Sequence, residues 1–178
     1  MKKILIMSAF VAGAIVVRAD DEASFQASLT PNIAIHPRTT QITGLSLSVW
    51  GENPQKGVAL GFVNGSTGES SGFTWGLYNY NETYTGVQWG VVNFSQKSFT
   101  GWQYSLVNYD QGYFKGLEMG FLNISQETHG LQFGTINYAE NLDKGVQIGF
   151  INIASNNEWF SNFPKQVAPA MVFVNWSF

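Results

Sequence analysis

The 178-residue chain carries no cysteine, a net charge of −3 and only 12% charged residues, against 15% aromatics and 19 glycines. The missing cysteine excludes disulfides, thiolate metal sites and a lipid-modified amino-terminal cysteine, and the lack of a basic run removes the electrostatic footprint of a nucleic-acid binder. Charges at about half their usual share, with abundant aromatics, suit a wall that faces lipid.

Residues 1–19 read as a secretory signal peptide. Lys2 and Lys3 supply the positive start, Ile4 to Val17 the apolar run, and Val17-Arg18-Ala19 a cleavage site after Ala19. That run is short for a spanning helix, and no later stretch is apolar for the roughly 20 residues such a helix needs. A mature chain that enters a membrane must therefore enter it as strands. Residues 20–178 have the length of one domain.

After a first strand expected near Ser24 to Ile35 and a degenerate one near Gln41 to Trp50, a unit recurs from Gly57. It returns at Gly72, Gly86, Gly101, Gly116, Gly130 and Gly145, in steps of fourteen or fifteen residues, and is clearest over 57–153. Its second, fourth and sixth places are apolar (Val87, Trp89 and Val91), while its first, third and fifth are small or polar (Gly86, Gln88 and Gly90). This period of two predicts one β-strand per unit. The eighth place is always Asn: Asn64, Asn79, Asn93, Asn108, Asn123, Asn137 and Asn152. These Asn residues are expected to cap strand ends, or else to line a polar channel. The apolar seventh place (Val63, Tyr78, Val92 and Leu122) breaks the alternation just before the Asn, which a β-bulge would repair.

Adjacent units differ. Those at 72, 101 and 130 continue past the Asn with Tyr80, Tyr109 and Tyr138, whereas the others continue with Gly65, Phe94, Ile124 or Ile153. A two-unit period is what antiparallel neighbours produce, because their ends point to opposite sides. The alternation therefore predicts hairpins, with the three tyrosines gathered at one membrane interface. Adding a last strand at Ala168 to Phe178 makes ten, an even number as single-chain bacterial barrels require. The ending Val172, Val174, Trp176, Phe178 resembles the carboxy-terminal signal read by the barrel-assembly machinery.

Searched for chemistry, the chain offers little. His36 and His129 fall in expected loops without a metal-binding pattern, and Asp110, Asp143 and His129 are too scattered for a protease site. No catalytic, cofactor-binding or metal-ligating residue is assigned, no cofactor is expected, and the expectation is not an enzyme. The Asn-x-Ser/Thr triplets at Asn64, Asn81, Asn93, Asn123 and Asn175 follow from the repeat rather than from glycosylation.

The Gly-apolar-Gln-apolar-Gly-apolar-apolar-Asn unit, seen at Gly86 to Asn93, Gly130 to Asn137 and Gly145 to Asn152, resembles the repeat of leptospiral-type bacterial surface-repeat proteins. The resemblance spans Gly44 to Ile153 and implies an outer-membrane or surface location more than an activity. The chain departs from the pattern at Ala59, Thr74 and Glu118, where Gln is absent, and in lacking a lipobox cysteine.

The first reading is thus all-β: an antiparallel up-and-down β-barrel of about ten strands in the bacterial outer membrane. It would have outer-membrane lipid as partner and a surface structural or interaction role or a narrow pore. The alternatives are a soluble periplasmic barrel around a small apolar ligand, and a β-solenoid adhesin or scaffold with one unit per coil.

Overall fold

At the first place of five of the seven units, the backbone itself demands glycine. Gly72, Gly86, Gly101, Gly116 and Gly130 have φ between 121° and 145°, a region that side chains rarely adopt. A Cβ on any of them would stand 1.9–2.1 Å from the carbonyl oxygen of the glycine one unit earlier. Equivalent glycines are therefore stacked on one another, which is possible only if successive units run in the same direction.

The computed structural model describes Glu22–Phe178; the expected signal peptide and its cleavage site lie outside the described residues. Strand β1 (Glu22–Thr30) is followed by the short β2 (Ile33–Ala34), which pairs antiparallel with it. Strands β3 (Gln41–Asn53), β4 (Lys56–Trp75), β5 (Tyr78–Trp89), β6 (Val92–Leu142) and β7 (Gly145–Ala154) follow, each parallel to the one before, with β3 parallel to β1. The terminal β8 (Ala170–Ser177) pairs antiparallel with β7. Asn64 lies beside Asn79, Asn79 beside Asn93 and Asn137 beside Asn152, so each unit is one coil in register with the next. The molecule is a mostly parallel β-solenoid of about 9 turns.

The antiparallel ten-stranded barrel is therefore wrong. Strand order runs β2-β1-β3-β4-β5-β6-β7-β8, with no pairing from β8 back to β2 that would close a cylinder. Transmembrane strands and a porin-like lumen fall with it, because the interior is packed with side chains. The phase break at the seventh place has a simpler cause than a bulge. The chain turns a corner there, with bends at Gly76–Leu77 and Gly90–Val91, so the sixth and seventh residues both face outward before the Asn turns in. Leu77 and Tyr78 are exposed in succession, and Asn79 is fully buried.

The alternation between units also has a local cause. Residues at the same place stack about 4.8 Å apart, so a large ring needs a smaller neighbour to lean over. The Tyr80 ring fills the space over Gly65, where a Cβ would come within 2.4 Å of it. The tyrosines do not gather at one end: Tyr109 packs in the same row as Phe94, with ring centroids 5.6 Å apart.

The core is unusual in its polarity. The third-place row Gln88, Gln103, Glu118, Gln132 and Gln147 is fully buried, as are the eighth-place Asn residues from Asn79 onward. Besides single buried residues such as Ile42 and Val167, the apolar interior among the described residues gathers in two small clusters. One is the stack of Tyr84, Phe99 and Phe114, with centroids 5.6 and 6.1 Å apart and rings 11° from parallel; the other is Ala139, Leu142 and Ala154.

Candidate functional site

A buried amide is costly unless all its groups are paired, and the eighth-place row pairs them along the axis. Each Asn donates from Nδ2 to Oδ1 of the next: Asn64 to Asn79 at 2.9 Å, Asn79 to Asn93 at 2.9 Å, Asn93 to Asn108 at 3.0 Å and Asn108 to Asn123 at 2.8 Å. Asn123 to Asn137 and Asn137 to Asn152 continue it at 2.8 Å. The second amide hydrogen bonds a backbone carbonyl of the neighbouring coil, as from Asn108 to Met119 at 3.0 Å. The Asn row is structural and lines no channel. The Asn-x-Ser/Thr positions are buried in the same interior, Asn64, Asn81, Asn93, Asn123 and Asn175 alike.

Two carboxyls interrupt this neutral lining, one in each of two successive coils. Asp110 occupies the tenth place, elsewhere Ser66, Asn81, Ser95, Ser125, Ala139 or Ala154, and Glu118 the third place, elsewhere mostly Gln. They are the charged side chains buried among the described residues. Glu118 accepts from Gln132 at 2.6 Å and from Ser125 at 3.0 Å, and Gln103 donates to Asp110 Oδ1 at 3.3 Å. Among the described residues Asp110 Oδ2 accepts no hydrogen bond. Burial pushes both carboxyls upward, and the charge of Glu118 raises Asp110 well above the usual carboxylate range. The signal in the sequence is that, once coils are aligned, Glu118 departs from a mostly Gln row and Asp110 from a row of Ser, Asn and Ala in adjacent units.

Other residues considered for chemistry sit apart. His36 lies at a turn, its backbone N–H bonded to Gln26 at 3.0 Å. His129 is in β6 rather than a loop, with Nε2 2.7 Å from Asp143 Oδ2 and its ring 5.0 Å from Tyr113. The structure thus joins His129 to Asp143 while Asp110 is sealed inside. No group of three or more His, Cys, Asp or Glu that could hold a metal occurs among the described residues. At the amino-terminal end Tyr80 bonds Glu52, which also pairs with Arg38; burial first and that bond second push the phenol up to about 12.

The outer surface is the reverse of the interior. The second, fourth and sixth places of the seven units form a flat face without one Asp, Glu, Lys or Arg. Phe62, Trp75, Leu106, Phe121 and Phe150 on it are each more than half exposed. Between the fourth and sixth rows, Gly61, Gly76 and Gly90 leave a groove of about 530 Å³, ended by Ser48 and flanked by Trp75, Trp89 and Tyr104. The charged residues, among them Glu69, Glu82, Lys97, Lys115 and Glu140, occupy the eleventh and later places on another side. Beyond β7 the loop to β8 exposes Trp159, Phe160 and Phe163, and Phe178 is exposed past β8 with no barrel for it to insert.

Searches against protein-family models, curated proteins and solved structures find no match for this chain.

Proposed function

We propose that the chain is an exported bacterial envelope scaffold, of the adhesin or interaction type, that works by contact through its uncharged apolar face. One observation carries this reading: an aromatic and aliphatic face running the length of seven coils, on a molecule whose interior is polar. Monomeric soluble proteins rarely leave a contiguous apolar patch above about 300–600 Å² in water, and larger ones mark interaction sites. The solenoid keeps the rows of the face in register from coil to coil, and the charged residues keep another side wetted. The amino-terminal signal-like segment and the resemblance to surface-repeat proteins support the location in the outer envelope.

The absence of cysteine makes the test clean. Leu106→Cys on the apolar face and Glu82→Cys on the charged side are expressed separately, and intact envelopes are treated with a soluble maleimide. The proposal expects the site at 106 to be protected in place and to label fully after denaturation, while the site at 82 labels throughout. Equal labelling of both sites in intact envelopes overturns it.

A further inference from the structure

We propose that the occupant of the apolar face is a second copy of this chain, packed face to face about a two-fold axis. The inference rests on the reading of that face as the working surface and names its partner. Area comes first. Phe62, Trp75, Tyr104, Phe121, Phe133 and Phe150 are each 48–62% exposed on the face. At about 150–250 Å² per aromatic side chain these alone offer about 600 Å². Leu77, Val91 and Leu106, each more than two-fifths exposed, carry the total past the roughly 800 Å² per partner of a stable interface.

Period comes second. Every row repeats at about 4.8 Å, and a second copy repeats at the same spacing, so its ridges meet these grooves in register along the whole face. The glycine groove between the fourth and sixth rows accepts a ridge, and two sheets then lie about 10 Å apart, as packed sheets do. Charge comes third. The second, fourth and sixth places hold no ionisable carboxylate or cation, so two like copies meet there without repulsion, and Glu69, Lys97, Lys115 and Glu140 lie away from the contact.

The face continues through Leu47 and Val49 of β3 and Leu29 of β1 at one end and Val172 of β8 at the other, so the antiparallel arrangement with most overlap places the two-fold axis between the units at Gly86 and Gly101, with Leu106 one coil from its own symmetry mate. The full chain, purified without detergent, is weighed by sedimentation. It should sediment at twice the mass of one copy. Leu106→Glu should weaken pairing by about 100-fold with unchanged circular dichroism, since this side chain is already 60% exposed in the single copy. An equimolar mixture of Leu106→Glu and Leu106→Lys chains should restore the pair. Phe121→Glu provides a second break on the same face. A single copy in buffer, or pairing that survives Leu106→Glu and Phe121→Glu together, overturns the proposal. A single copy that floats with neutral phosphatidylcholine vesicles, with site 106 protected in envelopes, assigns the face to lipid and leaves the proposed function standing. A single copy with site 106 unprotected defeats both.

Discussion

Inside the coils, stability depends on amides that find one another. An Asn bond in the eighth-place row nets about 0.5–1.5 kcal/mol, but leaving one buried partner unpaired costs about 1–3 kcal/mol, so the row is far harder to break than to make. Asn108 stands between Asn93 and Asn123 and accepts from Ser105 at 2.7 Å as well. Against this neutral row the Asp110 and Glu118 pair is a local weakness. Both carboxyls hold protons more tightly folded than unfolded. Below about pH 4 the two states are protonated alike and the pair costs nothing. As pH rises the unfolded chain releases protons that the folded chain keeps, so stability falls with rising pH until the folded pair itself titrates. Glu118→Gln restores the amide of its row, as in Gln132, and Asp110→Asn copies Asn81. Each should raise stability near pH 7 by on the order of 1–3 kcal/mol and flatten its decline between pH 4 and 8. Urea melts across that range check this, and a variant as pH-sensitive as the native chain would count against the buried pair as the source of the decline.

The coil as an element depends on its first-place glycine. Gly101 has φ 137°, and a Cβ there would stand 1.9 Å from the Gly86 carbonyl oxygen. Gly101→Ala should therefore cost about 3 kcal/mol or more, through strain and overlap together, whereas a glycine that merely loosened the strand would lose little. Thermal melts of the single variant decide between these. At this scale the unit length, the Asn row, and which residues point in and out were legible in the amino-acid order, whereas one strand per unit was not, since strand also fills connections such as Ser66–Ser71 and β6 runs unbroken through several units. Nor was the direction of successive units. Period-two alternation is identical for parallel and antiparallel neighbours, and the Tyr80, Tyr109 and Tyr138 pattern looked like opposed strand ends when it is the stacking of large rings beside smaller residues. The discriminating signal was present at Val63, Tyr78, Val92 and Leu122. An apolar residue out of phase at the same place in every coil marks a corner, and corners belong to solenoids. The site was less legible, because the acidic pair shows only when the third and tenth rows are aligned coil over coil.

For the whole molecule, the decisive feature is a rod with like residues ranked along one side. A closed barrel and a rod distribute the same units differently in space: around a cylinder distances stop growing, while along an axis they add. The apolar face, its area and its pairing all follow from the rod. Spin labels at Phe62→Cys, Leu106→Cys and Phe150→Cys sample the sixth place of the first, fourth and seventh units on a chain with no other cysteine. In the solenoid the pair at 62 and 106 should lie about 14 Å apart and the pair at 62 and 150 about 29 Å apart, growing by about 4.8 Å per coil. A 62-to-150 distance no longer than the 62-to-106 distance would contradict it.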